Sequence, residues 1–71
     1  MDILVFKTNV RYKKHIYAVI PHLTGLKGIL RWNFDLLDKD RILRIEAQDL
    51  SPRMVEDTLQ HAGYYCEELE D

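Results

Sequence analysis

The sequence predicts a single α+β domain whose elements follow the order β-α-β-β-α-β. Three patterns predict it: a short apolar run near the start, two stretches with apolar residues at helical spacing, and a strictly alternating segment between them. The chain has 71 residues, of which 46% are hydrophobic and 31% charged, and this is ordinary for one globular domain.

The first strand is predicted at residues 3–6, where four consecutive apolar residues indicate a strand that is covered on both faces or has a sticky outer face. The first helix is predicted at residues 12–23, because apolar residues recur there at helical spacing. Its stripe consists of Ile16, Val19, Ile20 and Leu23. Pro21 lies within this pattern and removes one intrahelical hydrogen bond, so we expect a kink or an early last turn.

The middle of the chain is predicted to form a β-hairpin. Thr24, Gly25 and Gly28 end the first helix and reverse the chain. The next strand alternates apolar and polar residues, as is typical of a strand with one buried face. Its apolar positions are Leu30, Trp32, Phe34 and Leu36. A polar turn at residues 38–40 then leads into the returning strand at residues 42–45.

The second helix is predicted to begin at Ser51 and Pro52, with a hydroxyl at the N-cap and proline at the first helical position. Glu56 and Asp57 are expected near the positive end of its dipole. Its buried stripe consists of Val55, Leu59 and Ala62. Gly63 then serves as a left-handed C-cap.

Residues 64–66 predict a short last strand before an acidic tail, residues 67–71. Two β-α units joined by a hairpin form a four-stranded antiparallel sheet with both helices on one face, the ferredoxin-like arrangement. Strands one and three lie centrally in it, and the opposite sheet face stays bare. Because residues 3–6 are apolar on both sides, we expect that face to bind a protein partner or a second copy of the chain.

The net charge of −2 argues against nucleic-acid binding as the main role. No apolar run approaches the roughly 20 residues needed to cross a bilayer, so membrane insertion is not expected. No signal peptide is expected at the N-terminus. The single cysteine, Cys66, excludes an internal disulfide and fits a reducing compartment, so we expect a cytoplasmic location.

The segment between the first strand and the first helix contains the strongest candidates for a binding site. It places three cations, a phenol and an imidazole at a helix start, where backbone N–H groups and the positive end of the dipole point into solvent. These residues are Arg11, Tyr12, Lys13, Lys14 and His15. They are predicted to bind an anion or an acidic partner. The segment lacks a glycine-rich run, so a tight nucleotide cradle is not expected.

The same progression resembles the heavy-metal-associated domain, which occurs in copper chaperones and in the N-terminal modules of metal-transporting P-type ATPases. The resemblance covers nearly the whole chain. Its most specific parts are Gly28-Ile29, similar to the family's Gly-Val turn, and Ala62-Gly63-Tyr64, similar to its Ala-Gly-Tyr before the last strand. It implies the ferredoxin-like fold and a metal site in the first loop. An apparent extra residue within residues 29–36 departs from the family pattern.

The family binds metal through M-x-C-x-x-C in that loop, and both cysteines are missing here. Val10 stands at the methionine position, and Tyr12 and His15 stand where the two cysteines would be. Two thiolates suit Cu(I) or Zn(II) because ionised sulfur is a soft ligand. A tyrosine phenol ionises only near pH 10, and one imidazole does not make a site. No metal or other cofactor is therefore expected, and Tyr12 and His15 are the only candidate ligands at these positions.

Other candidate sites have simpler interpretations. His22 and His61 lie near two helix ends, where a protonated imidazole favours the negative end of the dipole. Cys66 is interpreted as a small buried hydrophobe rather than as a thiol ligand or redox site. Trp32 and Phe34 belong to the alternating, core-like face, so base stacking on the sheet is not expected. No nucleophile is joined to a base and no carboxylate pair stands out, so we do not expect an enzyme.

The sequence supports three hypotheses. The leading one is a small cytoplasmic binding module with a heavy-metal-associated-like fold that has lost the metal-binding cysteines, and that acts through its basic first loop and its bare sheet face. The first alternative is a carrier of copper or zinc in which His15, with Tyr12 or a thiol from another chain, holds the ion. The second is a ligand-sensing regulatory module of the ACT type, which shares this topology and usually dimerises.

Overall fold

A computed structural model describes residues 1–69 and confirms the predicted order of elements. The elements are β1 (Asp2–Thr8), α1 (Lys13–Thr24), β2 (Ile29–Asp35), β3 (Ile42–Ala47), α2 (Pro52–His61) and β4 (Cys66–Glu68). The strands form one antiparallel sheet in the order β2-β3-β1-β4, so β1 and β3 are central, as predicted. Both helices pack on one face of this sheet, and the fold is ferredoxin-like.

One hydrophobic core lies between the sheet and the two helices. It consists of Leu4, Phe6, Val10, Val19, Leu23, Leu43, Ile45, Ala47, Leu50, Val55, Leu59 and Cys66. Trp32, Phe34 and Tyr64 are partly buried and pack against its edge. Among residues 1–69, neither helix has the length and apolar character that spanning a membrane requires.

β1 alternates between the two faces of the sheet and is not covered on both. Leu4 and Phe6 are buried under the helices, while Ile3 is 51% exposed and Val5 is half-buried on the bare face. Directly opposite residues of neighbouring strands share a face, so the cross-strand register identifies the rest of this surface. It carries mostly charged and polar side chains, namely Lys7, Arg31, Asn33, Asp35, Arg44, Glu46 and Glu67. The bare face is therefore less apolar than residues 3–6 alone suggest.

β2 departs from the strict alternation that the sequence predicts. Its register against β3 shifts between Ile29 and Arg31, so Leu30 is the extra residue of a β-bulge. Leu30 is 59% exposed, and its predicted place on the half-buried face is wrong. Ile29 packs against the core instead, because the bulge reverses the phase of the strand. The apparent extra residue of this segment is accommodated here.

α1 continues through Pro21 and ends at Thr24. The proline removes one hydrogen bond to the carbonyl of Tyr17, a residue that is 68% exposed, so water can satisfy that carbonyl. Thr24 Oγ1 donates a hydrogen bond to Pro21 O at 3.0 Å and closes the last turn. The proline therefore lies inside the final turn of the helix and does not end it.

α2 begins and ends as predicted. Ser51 Oγ accepts a hydrogen bond from Arg53 N–H at 3.2 Å, which is an N-cap. At the other end, Tyr64 N–H donates to Leu59 O at 3.0 Å, across Gly63 with φ +94°. This 6→1 bond with a left-handed glycine is the geometry of a Schellman motif.

Two predictions about acidic residues are wrong. Glu56 and Asp57 do not lie in the first turn of α2, so they do not compensate the positive end of its dipole. Glu56 Oε2 instead accepts a hydrogen bond from Glu68 N–H at 2.7 Å and ties the last strand to the helix. Because that bond and the pairing with β1 hold Glu67 and Glu68 in the sheet, they are strand residues and not part of a tail.

The last strand is also displaced from its predicted position. β4 begins at Cys66, two residues after the predicted start at Tyr64. Tyr64 and Tyr65 belong to the turn that leaves α2, because the Schellman motif and a hydrogen bond to Asn9 use their N–H groups. Glu70 and Asp71, the end of the predicted acidic tail, lie outside the described residues.

Candidate functional site

The basic loop, residues 11–15, joins β1 to α1 and forms the first turn of the helix. Tyr12 is the N-cap residue in extended conformation (φ −128°, ψ 157°), but its side chain makes no cap hydrogen bond. The first turn of α1 contains no acidic residue, and it begins with Lys13 and Lys14. Cations at the positive end of a helix dipole destabilise it by about 0.3–1 kcal/mol each, so this helix start is costly.

Polar side chains just before the basic loop fix its path. Thr8 Oγ1 donates a hydrogen bond to Arg41 O at 2.6 Å and accepts one from Val10 N–H at 3.1 Å. Asn9 Oδ1 accepts a hydrogen bond from Tyr65 N–H at 2.9 Å. The loop is thereby attached to the β2-β3 turn and to the segment before β4. Our sequence reasoning missed both residues, although Thr and Asn at a strand end are a signal for local side-chain hydrogen bonds.

His15 closes the basic loop from within. Its Nδ1 accepts a hydrogen bond from Arg11 N–H, at an N···N distance of 3.2 Å. Its half-buried ring packs against two tyrosine rings, with centroids 5.1 Å from Tyr12 and 5.4 Å from Tyr64. A neutral imidazole that accepts at Nδ1 carries its proton on Nε2. Tyr12 and His15, which the resemblance places at the family's two cysteine positions, are thus in ring contact, and Tyr64, which the sequence did not reveal as part of the site, joins them.

The donors of the basic loop do not fit Cu(I) or Zn(II). Ligation through His15 Nδ1 displaces the Arg11 hydrogen bond directly. Ligation through Nε2 requires the other tautomer, whose Nδ1–H points at Arg11 N–H, so the same bond is lost. Tyr12 offers a phenol in place of a thiolate. Within the part of the chain that the structure describes, no three His, Cys, Asp or Glu side chains converge on a point that could hold a metal ion.

Cys66 does not supply the missing sulfur. It is 2% exposed and belongs to the core, opposite Thr8 at the end of β1. Burial, with a smaller contribution from the charge of Glu56, raises the pKa of its thiol to about 12. The thiol is therefore protonated at neutral pH, whereas metal binding and redox chemistry need the thiolate.

The remaining predicted candidates lie apart from the basic loop. His22 and His61 are exposed in the last turns of α1 and α2, and His61 Nδ1 lies 2.7 Å from Asp57 O. Trp32 and Phe34 pack edge to face, with ring centroids 5.7 Å apart, and belong to the face that the helices cover. Base stacking on the bare face therefore has no support from these two rings.

The basic side chains themselves face solvent. Arg11, Lys13 and Lys14 are exposed, and neither of the two salt bridges found among residues 1–69 involves the basic loop. Lys14 Nζ lies 5.7 Å from the ring centroid of Tyr12, within cation–π range. Tyr12 is 57% exposed, so the loop presents an aromatic ring surrounded by positive charge.

Comparison with known proteins finds solved structures of similar fold, but it finds no match by sequence. No protein family matches the chain in a family scan, and no curated protein matches it. The yeast copper transporter domain CCC2A, solved in apo and Cu(I)-loaded states, matches with TM-score 0.82 and 14% identity over 97% of this chain and 96% of that one. The N-terminal domain of PacS from Synechocystis PCC6803 matches with TM-score 0.83 and 11% identity over 99% and 100%.

Two further solved structures identify this fold. The N-terminal domain of ZntA in its Zn(II) form matches with TM-score 0.80 and 20% identity over 96% of this chain and 92% of that one. The HMA domain of the copper chaperone for superoxide dismutase also matches, with TM-score 0.76 and 19% identity over 96% and 66%. The chain thus has the fold of the heavy-metal-associated domain, and the resemblance inferred from its turns is confirmed at the level of fold.

Proposed function

We propose that this protein is a small non-catalytic interaction module of the cytoplasm. It has the heavy-metal-associated fold without the metal-binding cysteines, and it binds an acidic protein partner through the basic loop. The observation that carries the proposal is the hydrogen bond from Arg11 N–H to His15 Nδ1. Because this bond closes the loop with the chain's own atoms, the loop is ordered without a metal, and metal binding would disrupt it.

The charges of the basic loop support an acidic partner. Arg11, Lys13 and Lys14 lie together at the positive end of α1, where a carboxylate would relieve both their mutual repulsion and their repulsion from the dipole. Exposed tyrosine and arginine side chains are also the types that dominate the binding energy of protein interfaces. Tyr12, held in place by His15, provides such an anchor at the centre of the positive charge.

The partner chemistry is tested by NMR titration with poly-L-glutamate at low and at physiological salt. We expect saturable amide shifts at residues 11–15, which weaken as salt screens the charges. The double variant Lys13→Gln/Lys14→Gln is expected to lose about fivefold in affinity, because two exposed cations at about 0.5 kcal/mol each contribute about 1 kcal/mol. The control Lys27→Gln, in the α1-β2 turn, should bind as the parent does. If the double variant bound poly-L-glutamate with the same affinity as the parent, the proposal would be contradicted.

A metal carrier with unusual ligands is the second candidate, favoured by neighbours that were solved with Cu(I) and Zn(II). Native mass spectrometry under reducing conditions separates it from the first. We expect no tight stoichiometric adduct of Cu(I) or Zn(II). A submicromolar adduct that disappears in His15→Ala would instead establish the carrier. An ACT-type sensor would show an amino-acid-dependent rise in melting temperature, and no contact among residues 1–69 favours it.

Self-association through the bare sheet face is a separate part of the proposal. Ile3 is exposed there beside Val5, but charged side chains surround them, so we expect a weak dimer. Sedimentation velocity at high concentration should show a dimer that Ile3→Lys removes. A protein that is monomeric at every concentration would contradict self-association through the bare face, but it would not affect the proposed role of the basic loop.

A further inference from the structure

The bare face of the sheet has a depression of about 200 Å³ between β2 and β3. It is lined by Arg31, Asn33, Arg44 and Glu46, which share the bare face, and by Trp32, whose side chain packs against the core. Glu46 is opposite Ile3 at the start of β1, whereas the basic loop follows the end of β1. The depression is thus a separate region from the site described above, and it does not depend on the proposed function.

Two guanidinium groups and one carboxylate line this depression, so its net charge is positive. Arg31 Nε and Glu46 Oε2 are 3.7 Å apart, and the Arg31 side chain is 80% exposed. An exposed pair at this distance is weak, so Arg31 can turn toward a ligand. Arg44 is opposite Asn33 and takes part in neither of the salt bridges found among residues 1–69.

The other charged groups of this face, Asp35, Lys7 and Glu67, have partners elsewhere. The Glu67 carboxylate accepts a hydrogen bond from the Tyr65 hydroxyl. Asp35 Oδ1 accepts hydrogen bonds from Leu37 N–H at 3.1 Å and Asp38 N–H at 3.3 Å in the β2-β3 turn. Lys7 Nζ lies 3.7 Å from Asp40 Oδ1. Glu46 is therefore the acidic group that limits the affinity of the depression for an anion.

The geometry points to a site for a small oxyanion, a phosphate or a carboxylate group. Guanidinium groups bind such anions through two parallel hydrogen bonds, and the Asn33 amide can donate another. Pockets for drug-sized ligands usually measure about 300–1,000 Å³, so this depression suits a ligand the size of phosphate or a short carboxylic acid. Arg44 is the principal ligand, and Arg31 is the second.

NMR titration with inorganic phosphate, and separately with succinate, tests this site at constant ionic strength set by chloride. We expect saturable shifts at the amides of Arg31, Asn33 and Arg44. Arg44→Gln should weaken binding at least about fivefold, because it removes the guanidinium group that makes two charge-assisted hydrogen bonds to the anion. Glu46→Gln should strengthen it severalfold by removing the acidic group. Arg53→Gln, an equal charge change on α2, should leave it unchanged.

The two anions distinguish the source of the ligand. Saturation by phosphate alone identifies a phosphate site, saturation by succinate alone a carboxylate site, and either supports the inference. Shifts that do not saturate, that fall on residues 11–15, or that are equal in Arg44→Gln and Arg53→Gln would overturn it. Since Arg44 is exposed, its replacement removes no core contact, and dispersed amide signals verify that each variant is folded.

Discussion

The two strand-to-helix junctions occupy equivalent places in the two β-α halves of the fold, and they are built differently. The junction from β3 to α2 follows the rules of helix starts, with the Ser51 hydroxyl as N-cap and Pro52 in the first position. The junction from β1 to α1 has Tyr12 at the N-cap without a side-chain hydrogen bond. It then places Lys13 and Lys14 at the positive end of the dipole.

This difference separates a junction whose side chains stabilise the helix start from one whose side chains do not. Local departures from folding rules concentrate where a surface has another role. The first junction is held instead by contacts from outside the helix turn, made by Thr8, Asn9 and His15. These contacts fix the backbone and leave the cations exposed. The second junction is a structural element, and the first presents a charged surface.

The largest expected effect on stability comes from Gly28, which lies in the turn between α1 and β2 and packs against Gln48 of the second junction. A Cβ on Gly28 would lie 2.5 Å from Gln48 O, and the residue has φ +100°. We expect Gly28→Ala to lower the free energy of unfolding by about 3 kcal/mol in urea denaturation. Gly63→Ala is the matched control, since φ is +94° but no atom lies within 4 Å, and should cost only about 1 kcal/mol. Equal losses would contradict the packing argument.

Cys66, beneath the first junction, should be nearly inert in the folded protein. Its pKa of about 12, against an ordinary 9.0, leaves very little thiolate at pH 8. Iodoacetamide should therefore react at least about a hundredfold more slowly than with the protein in urea. The raised pKa of Cys66 also predicts that the protein loses stability at high pH. The contribution of the buried thiol to the free energy of unfolding is complete below pH 9.0 and is lost between pH 9.0 and about 12, because in that range only the thiol of the unfolded chain ionises. Equal labelling of folded and unfolded chains would contradict this.

Ser51→Ala tests the regular junction directly. The loss of the cap bond to Arg53 N–H should cost about 1 kcal/mol in thermal or urea unfolding. Ser51→Thr retains the hydroxyl and serves as the control, with a loss of a few tenths of a kcal/mol at most. If both variants unfold alike, the hydroxyl does not cap α2.

Tyr12→Asp should have the smallest effect on stability, and it should stabilise the protein where the other substitutions destabilise it. A carboxylate at this N-cap provides the missing hydrogen-bond acceptor and faces three cations, so we expect a gain of about 0.5–1 kcal/mol. The same change should weaken binding of poly-L-glutamate. Tyr17→Asp, at an exposed position within α1, is the control and should not stabilise the protein. A loss of stability in Tyr12→Asp would mean that the aromatic contact with His15 outweighs the electrostatic cost of the junction.

The sequence predicted the elements well, because each depends on local spacing. The stripe through Val19 and Leu23 and the Ser51 cap are local signals, and both are present in the structure. The bulge at Leu30 was missed because a shift in strand phase depends on the partner strand. The last strand was placed too early for a similar reason, since its start is set by contacts with distant residues.

The candidate site was predicted only in part. The resemblance placed Tyr12 and His15 at the family's two ligand positions, and in the structure their rings are in contact. The bond from Tyr65 N–H to Asn9 Oδ1 joins residues 56 positions apart, and the packing of Tyr64 on His15 is also long-range. No local pattern encodes such contacts. They became visible only once the fold had brought the end of β1 beside the start of β4.

We propose that the basic loop is closed by its own residues and lacks only sulfur for metal binding. The most direct test offers Cu(I), held by a chromophoric chelator under reducing conditions, to the parent protein and to Tyr12→Cys/His15→Cys. We predict that the double variant withdraws one Cu(I) per chain, because it restores C-x-x-C on this fold, and that the parent withdraws none. Withdrawal of one Cu(I) per chain by the parent protein would contradict the account.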